Sequence, residues 1–128
     1  MLALAALLLA RSDLAPLDWL VGHCWRGTLA PGDTDTHCFT RDGDTVRDRH
    51  EVMHQGRIVY WGETRFRWDT ASQVLRYSYV NANGPVESGT VTPRADGLDF
   101  GAIRWVRLGG RAYETVAGDT RVRFTRTD

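Results

Sequence analysis

The sequence predicts an all-β fold, an antiparallel up-and-down meander closed into a barrel and entered through a short N-terminal helix. Three observations predict it. Glycine-containing turns recur from Gly22 onward, as APGD, RDGD, HQG, NANG, RADG, LGG and AGD. The runs between them are rich in Val, Ile, Thr, Tyr, Phe and Trp and follow one another at roughly 8–12 residues, the pattern of strands joined by turns. Nine such runs with short loops favour closure, because an open meander would leave two strand edges unpaired.

Residues 14–21 come first and break the alternation. Leu14, Leu17, Leu20 and Val21 stand at helical spacing, with Ser12 or Asp13 as N-cap and Gly22 as stop. A short helix here would cover one barrel mouth. Strands are then expected at 22–29, 34–41, 45–53, 57–67, 73–80, 86–92, 98–107, 111–117 and 120–127. No repeat, low-complexity tract or linker separates them, so 14–128 reads as one domain, and a chain of 128 residues suffices for one core or internal cavity.

Residues 1–13 read as a signal peptide or an N-terminal extension. The apolar run from Leu2 to Ala10 is too short to span a bilayer and has the length of a signal-peptide core. No basic residue precedes it, and a short helix capping the barrel is the alternative. Export to a periplasmic or extracellular location is expected over a cytoplasmic one. Sixteen basic residues, all arginine, balance sixteen acidic ones, and the isoelectric point is near 6.9. That balance gives no support for a nucleic-acid partner or an anionic membrane surface. The expected partner is a small hydrophobic or amphipathic molecule, with no stable membrane insertion, and the chain is expected as a monomer or weak dimer.

The dipeptide His-Cys occurs twice, at His23-Cys24 and His37-Cys38, and holds both cysteines of the chain. Neighbouring side chains on a strand point to opposite faces, so all four cannot converge on one tetrahedral zinc ion. No metal site is expected from them. A disulfide is. If Ala30-Pro31-Gly32-Asp33 is a type II turn, Thr28 pairs with Thr34 and the register sets Cys24 opposite Cys38. Directly opposed residues lie within disulfide reach. Trp25 then opposes His37 on the other face. Cys24 shares the outer wall with Arg26, Thr28, Thr36 and Thr40, while Trp25, Leu29 and Phe39 face inward. The alternative is two reduced thiols that are merely neighbours. The bridge would be structural, since no CxxC redox motif is present.

The next two strands carry the candidate site. A three-residue loop His54-Gln55-Gly56 would pair Met53 with Arg57, place Val52 beside Ile58 and set His50 beside Tyr60. Val46, Asp48, His50, Val52, Ile58, Tyr60, Thr64 and Phe66 then face inward, and Arg47, Arg49, Glu51, Glu63, Arg65 and Arg67 outward. A two-residue loop would flip one strand and turn the arginines in. Leu75, Tyr77 and Tyr79 share one face, as do Phe100, Ala102, Arg104 and Val106 against Ile103 and Trp105. The expected ligand lining is Trp25, His50, Tyr60, Tyr77, Tyr79 and Arg104, aromatic walls with a few polar groups to orient an amphipathic molecule. A core filled by its own side chains is the alternative.

Asp48 and His50, two apart on one strand, offer a carboxylate–imidazole pair. The sequence lacks a Gly-x-Ser-x-Gly turn, a glycine-rich phosphate loop and a metal-ligand cluster, so no catalytic residue and no cofactor is assigned. Binding without catalysis is the expected function; the alternative is a small hydrolase, isomerase or cyclase using His50 with Asp48.

The stretch LDWLVGHCWRG beside an all-β meander resembles the start of calycin-superfamily proteins, which include lipocalins and fatty-acid-binding-protein-like barrels. The further run DTHCF…RDRHEV…GET…WD…YSY is similar to uncharacterised bacterial lipocalin-like groups, over about residues 16–128. Two residues separate Gly22 from Trp25, where the lipocalin G-x-W signature has one. The resemblance implies a calycin-like barrel of eight to ten strands that binds small hydrophobic or amphipathic molecules. Haem-binding barrels of the nitrobindin type share this start but ligate iron through a histidine near the chain end. Here the last histidine is His54, so haem by that route is not expected.

Overall fold

Every strand in the computed structural model, which describes residues 14–128, pairs antiparallel with the next one in sequence. The ten strands are β1 (Cys24–Ala30), β2 (Asp33–Asp42), β3 (Thr45–His54), β4 (Arg57–Asp69), β5 (Val74–Asn81), β6 (Gly84–Arg94), β7 (Gly97–Asp99), β8 (Arg104–Arg107), β9 (Ala112–Ala117) and β10 (Thr120–Arg126). Pairing of β1 with β10 closes the barrel and removes the edges. The apolar run read as a leader, at 1–13, lies outside the described residues.

Two expectations are corrected here. The strand expected at 98–107 is two strands, β7 and β8, because 100–103 leave the ladder. Asp99 accepts the Gly101 N–H at 2.8 Å, Gly101 takes φ +95°, and the Phe100 N–H bonds to Ile103 O at 2.8 Å. The N-terminal helix is a single 3-10 turn over Ala15–Leu17 with Pro16 in its first turn, and the N-cap expected at Ser12 or Asp13 lies outside the described residues. Its burial is nevertheless as expected. Leu14, Leu17 and Leu20 are buried and pack with Trp25, Phe39, Val46, Phe66, Leu75, Leu98, Tyr113 and Phe124 into the core. Val91 and Trp105 complete that cluster.

The β1–β2 register is the expected one: Thr28 opposes Thr34, Trp25 opposes His37 and Cys24 opposes Cys38. The connection is tighter than a five-residue loop. Ala30 pairs with Asp33 across Pro31-Gly32, and Leu29 is the extra residue of a bulge that keeps Thr28 on Thr34. A disulfide joins Cys24 and Cys38 on the outer wall. In the chain-entropy account a loop of this length stabilises by about 3 kcal/mol. The double variant Cys24→Ser/Cys38→Ser is therefore expected to lose about that much in urea unfolding while keeping its far-ultraviolet spectrum.

The β3–β4 turn is corrected as well. It is the two-residue loop, with Gln55 and Gly56 both at positive φ and His54 paired with Arg57, the hairpin geometry that matches strand twist. The arginines stay outside because Val59 is bulged: Met53 pairs with Ile58 but Val52 with Tyr60. The bulge restores the phase, so His50 opposes Gly62 instead of Tyr60 and Asp48 opposes Thr64. On the outer wall Arg65 donates to Glu63 at 2.9 Å, and Arg47 approaches the same carboxylate at 3.8 Å.

Candidate functional site

An up-and-down barrel gathers alternate turns at each end. The turns at 31–32, 55–56, 82–83, 100–103 and 118–119 share one end, and the N-terminal 3-10 turn lies with the others at the opposite end. Leucines and Trp25 pack the second end solid. The first end holds a cavity of about 410 Å³ lined by side chains from β1–β6 and β8–β10, and by the 100–103 loop.

Its walls are unlike one another. Phe100, Ala102, Ile103, Trp105, Val122 and Phe124 form an apolar side, while Asp35, His37, Asp48, His50, Tyr79 and Glu87 bring polar groups. Strand alternation delivers the polar side. Asp35, His37 and Phe39 stand two apart on β2, Asp48 and His50 two apart on β3, and the two-residue turn between Asp42 and Thr45 sets His37 directly opposite His50. The two imidazole rings stack, with centroids 4.5 Å apart and planes at 14°.

These groups form one continuous hydrogen-bonded chain. His37 donates Nδ1–H to both oxygens of Asp48, at 2.8 and 2.9 Å, and Nε2–H to Asp35 Oδ2 at 3.1 Å. His50 donates Nδ1–H to Asp35 Oδ1 at 2.9 Å and accepts the Tyr79 hydroxyl at Nε2, 2.8 Å away. Tyr60 donates to Tyr79 oxygen at 2.7 Å, and Asn81 donates to Tyr60 oxygen at 3.2 Å. With two ionised carboxylates at the inner end and His50 neutral, every donor in this chain has an acceptor.

Burial and charge work against one another in this chain. Burial alone would push the His37 pKa down, but the Asp48 charge, the hydrogen bonds to Asp35 and Asp48, and the Asp35 charge raise it to about 10. Burial alone would raise Asp35; the hydrogen bonds and charges of His37 and His50 outweigh it and hold the carboxyl far below the usual range. His37 is therefore an imidazolium clamped between two carboxylates at neutral pH. Burial raises the Tyr79 hydroxyl, helped by Tyr60 and by the two aspartates, so it stays a neutral donor. At the mouth Tyr77 donates to Glu87, and burial together with that bond pushes its hydroxyl up to about 12.

No protein-family model, curated protein or solved structure matches this chain.

Of the residues expected to line a ligand, His50, Tyr77 and Tyr79 line the cavity, and Tyr60 reaches it through Tyr79. Trp25 and Arg104 do not line it. Trp25 is fully buried at the packed end, with Nε1–H 3.3 Å from Leu20 O, and Arg104 is exposed on the outer wall. The expected Asp48–His50 pair is also corrected. Asp48 holds His37, and the carboxylate on His50 is Asp35. Diagonal reach across β2 wins because His37 and Phe39 stand opposite His50 and Asp48. Asp35 was not among the expected site residues. Its signal is the phase of β2: once Phe39 faces inward, so do His37 and Asp35.

Gly62 makes room for this arrangement. A Cβ there would come within 2.0 Å of the Tyr79 hydroxyl oxygen and 2.6 Å of His50 Nε2. Glycine lets the tyrosine and histidine meet above the β4 backbone.

Proposed function

We propose that the protein is a calycin-like carrier or receptor that binds one small amphipathic molecule in the open end of its barrel. The divided cavity carries this reading, with an apolar side of Phe100, Ile103, Trp105 and Val122 facing a polar side of His50, Tyr79 and Glu87. Its volume of about 410 Å³ lies in the range of small-molecule sites. The ligand's apolar body would lie against the aromatic side and its polar end against His50 and Tyr79. Exposed Leu29 and Val86, near the strand ends here, and Ile103 in the 100–103 loop offer apolar surface at this end for an approaching ligand. The disulfide supports an exported protein, because such bridges persist in oxidising compartments.

Native mass spectrometry of the protein from its own cells is expected to show a bound small mass that is lost on denaturation. Binding of the fluorescent probe anilinonaphthalene sulfonate supplies a second measurement. Val122→Trp, which fills the cavity from β10, is expected to weaken that probe at least tenfold, about 1.4 kcal/mol. An empty barrel whose probe affinity is unchanged by Val122→Trp refutes the reading.

The His50–Asp35 pair supports a second reading, a small hydrolase, isomerase or cyclase with His50 as acid–base group and Asp35 orienting its ring. His50→Ala separates the two: a binder loses part of its affinity, whereas an enzyme loses nearly all of its turnover.

A further inference from the structure

We propose that Asp35, His37 and His50 form the binding site of one divalent first-row transition-metal ion in the polar wall of the cavity. The donor set is two imidazole nitrogens and a carboxylate, which suits zinc and its neighbours and no hard alkaline-earth ion. One ligand atom from each of the three residues lies within 4.8 Å of the others. Each nitrogen stands at the distance of a coordination-polyhedron edge from a different oxygen of the same carboxylate: His37 Nε2 is 3.1 Å from Asp35 Oδ2 and His50 Nδ1 is 2.9 Å from Oδ1. Metal bonds of about 2.0–2.1 Å at 90–110° give edges of about 3 Å.

The surrounding groups favour the same assignment. A ligating histidine needs an acceptor for its other ring N–H, which fixes the tautomer and the ring plane. Both histidines have one. Asp48 takes His37 Nδ1–H with both oxygens, and the Tyr79 oxygen stands 2.8 Å from His50 Nε2. When the metal takes His50 Nδ1, the ring proton sits on Nε2 and is donated to Tyr79, whose hydroxyl then donates to Tyr60. His37 gives up its Nε2 proton to solvent. The stacked rings present these nitrogens to the same carboxylate, and because their planes are within 14° of parallel, one ring has to turn about its χ angles to aim its lone pair at the shared ion.

Charge balance favours a dication as well. Two carboxylates and the His37 imidazolium leave the metal-free cluster at −1, and exchanging that ring proton for one divalent ion brings it to zero. Burial makes that cancellation count, since Asp48 is fully buried and Asp35 nearly so. All three ligands line the cavity, so the remaining coordination positions would open onto it. The site uses neither cysteine, both of which are held in the disulfide. It does not depend on the organic ligand proposed above.

The test is titration of metal-depleted protein with Co²⁺, followed by Zn²⁺, with no other ligand added. Expected is one Co²⁺ per chain, with visible absorption of a nitrogen–oxygen site that Zn²⁺ displaces. Asp35→Asn and His50→Ala should each weaken binding by about 100-fold or more, and Asp48→Asn by about 10–100-fold through the ring it holds. His23→Ala and His54→Ala should leave it unchanged, although each of those histidines also has a carboxylate neighbour. Nitrogen resonances of the imidazoles decide the matter without any variant. Zn²⁺ should move His37 Nε2 and His50 Nδ1 and leave His23 and His54 in place. Binding no tighter than about 1 mM, about −4 kcal/mol, overturns the proposal. So does binding that follows His23 or His54 or leaves the rings of His37 and His50 undisturbed.

Discussion

Asp48→Ala is expected to destabilise the metal-free protein by about 3–5 kcal/mol, the cost of breaking a buried ion pair by removing one partner. Asp48 is fully buried and spends both oxygens on one ring, so its loss strands the His37 imidazolium with Asp35 alone. The same pair makes stability depend on pH. His37 has its pKa raised from 6.5 unfolded to about 10 folded, facing Asp48 and Asp35 with His50 stacked on it. A raised pKa contributes stability that is full below pH 6.5 and is lost as pH climbs toward 10. Asp35, whose pKa is lowered, contributes above its unfolded value near 3.8 and loses that contribution as pH falls below it. Wild-type stability in the presence of a chelator should therefore be greatest near pH 5–6 and fall by a few kcal/mol by pH 9. Denaturant unfolding at pH 6 and pH 9 checks both expectations. Asp48→Ala should lose most at pH 6 and show the shallower fall with pH. Equal wild-type midpoints at the two pH values would show that His37 is not held as a cation.

How much of this was legible in the chain depends on what each residue answers to. The Cys24–Cys38 bridge and the β1–β2 register match the reading although the turn does not, because the bulge at Leu29 on the first strand cancels the one-residue change made by the short turn. In β3–β4 the bulge lies on the second strand and adds to the change made by the turn, so the faces are as read but His50 meets Gly62 instead of Tyr60. A short turn at Gln55-Gly56 and a bulge at Val59 each change the phase, and together they restore it. Reading the faces of Arg47 and Arg65 as outward was therefore right although the loop was not. Splitting of the strand expected at 98–107 turns on Asp99 capping Gly101, a competition between side chain and ladder that alternation does not register. The site was legible by halves. His50 and Tyr79 come from strand phase, but Asp35 enters only when β2 and β3 are laid side by side, since its partner His50 is fifteen residues away. Trp25 faces inward as expected but packs at the closed end instead of lining the cavity, because period two gives the face of a strand residue and says nothing of its height along the barrel.

Height along the barrel is what separates stability from binding here, and Trp25 tests that separation. Trp25→Ala is expected to cost about 3–5 kcal/mol, the range for removing a buried large aromatic. The ring makes edge contacts with Trp19 at 5.8 Å and Tyr113 at 5.3 Å, and its N–H reaches Leu20 O. Its loss leaves a void under the N-terminal turn, beside the buried Leu14, Leu17 and Leu20. Inward collapse of that turn would act at the closed end and reach the cavity only through Tyr113, which packs on Phe124 and Trp105. Probe affinity of the fraction that remains folded should accordingly match wild type within about twofold, under 0.5 kcal/mol. Val122→Trp should show the reverse, a loss of binding with little loss of stability. A Trp25→Ala protein that stays folded but no longer binds the probe would mean that the packed end and the cavity are one cooperative unit. The cavity would then be shaped by the leucines beneath it as well as by the residues that line it.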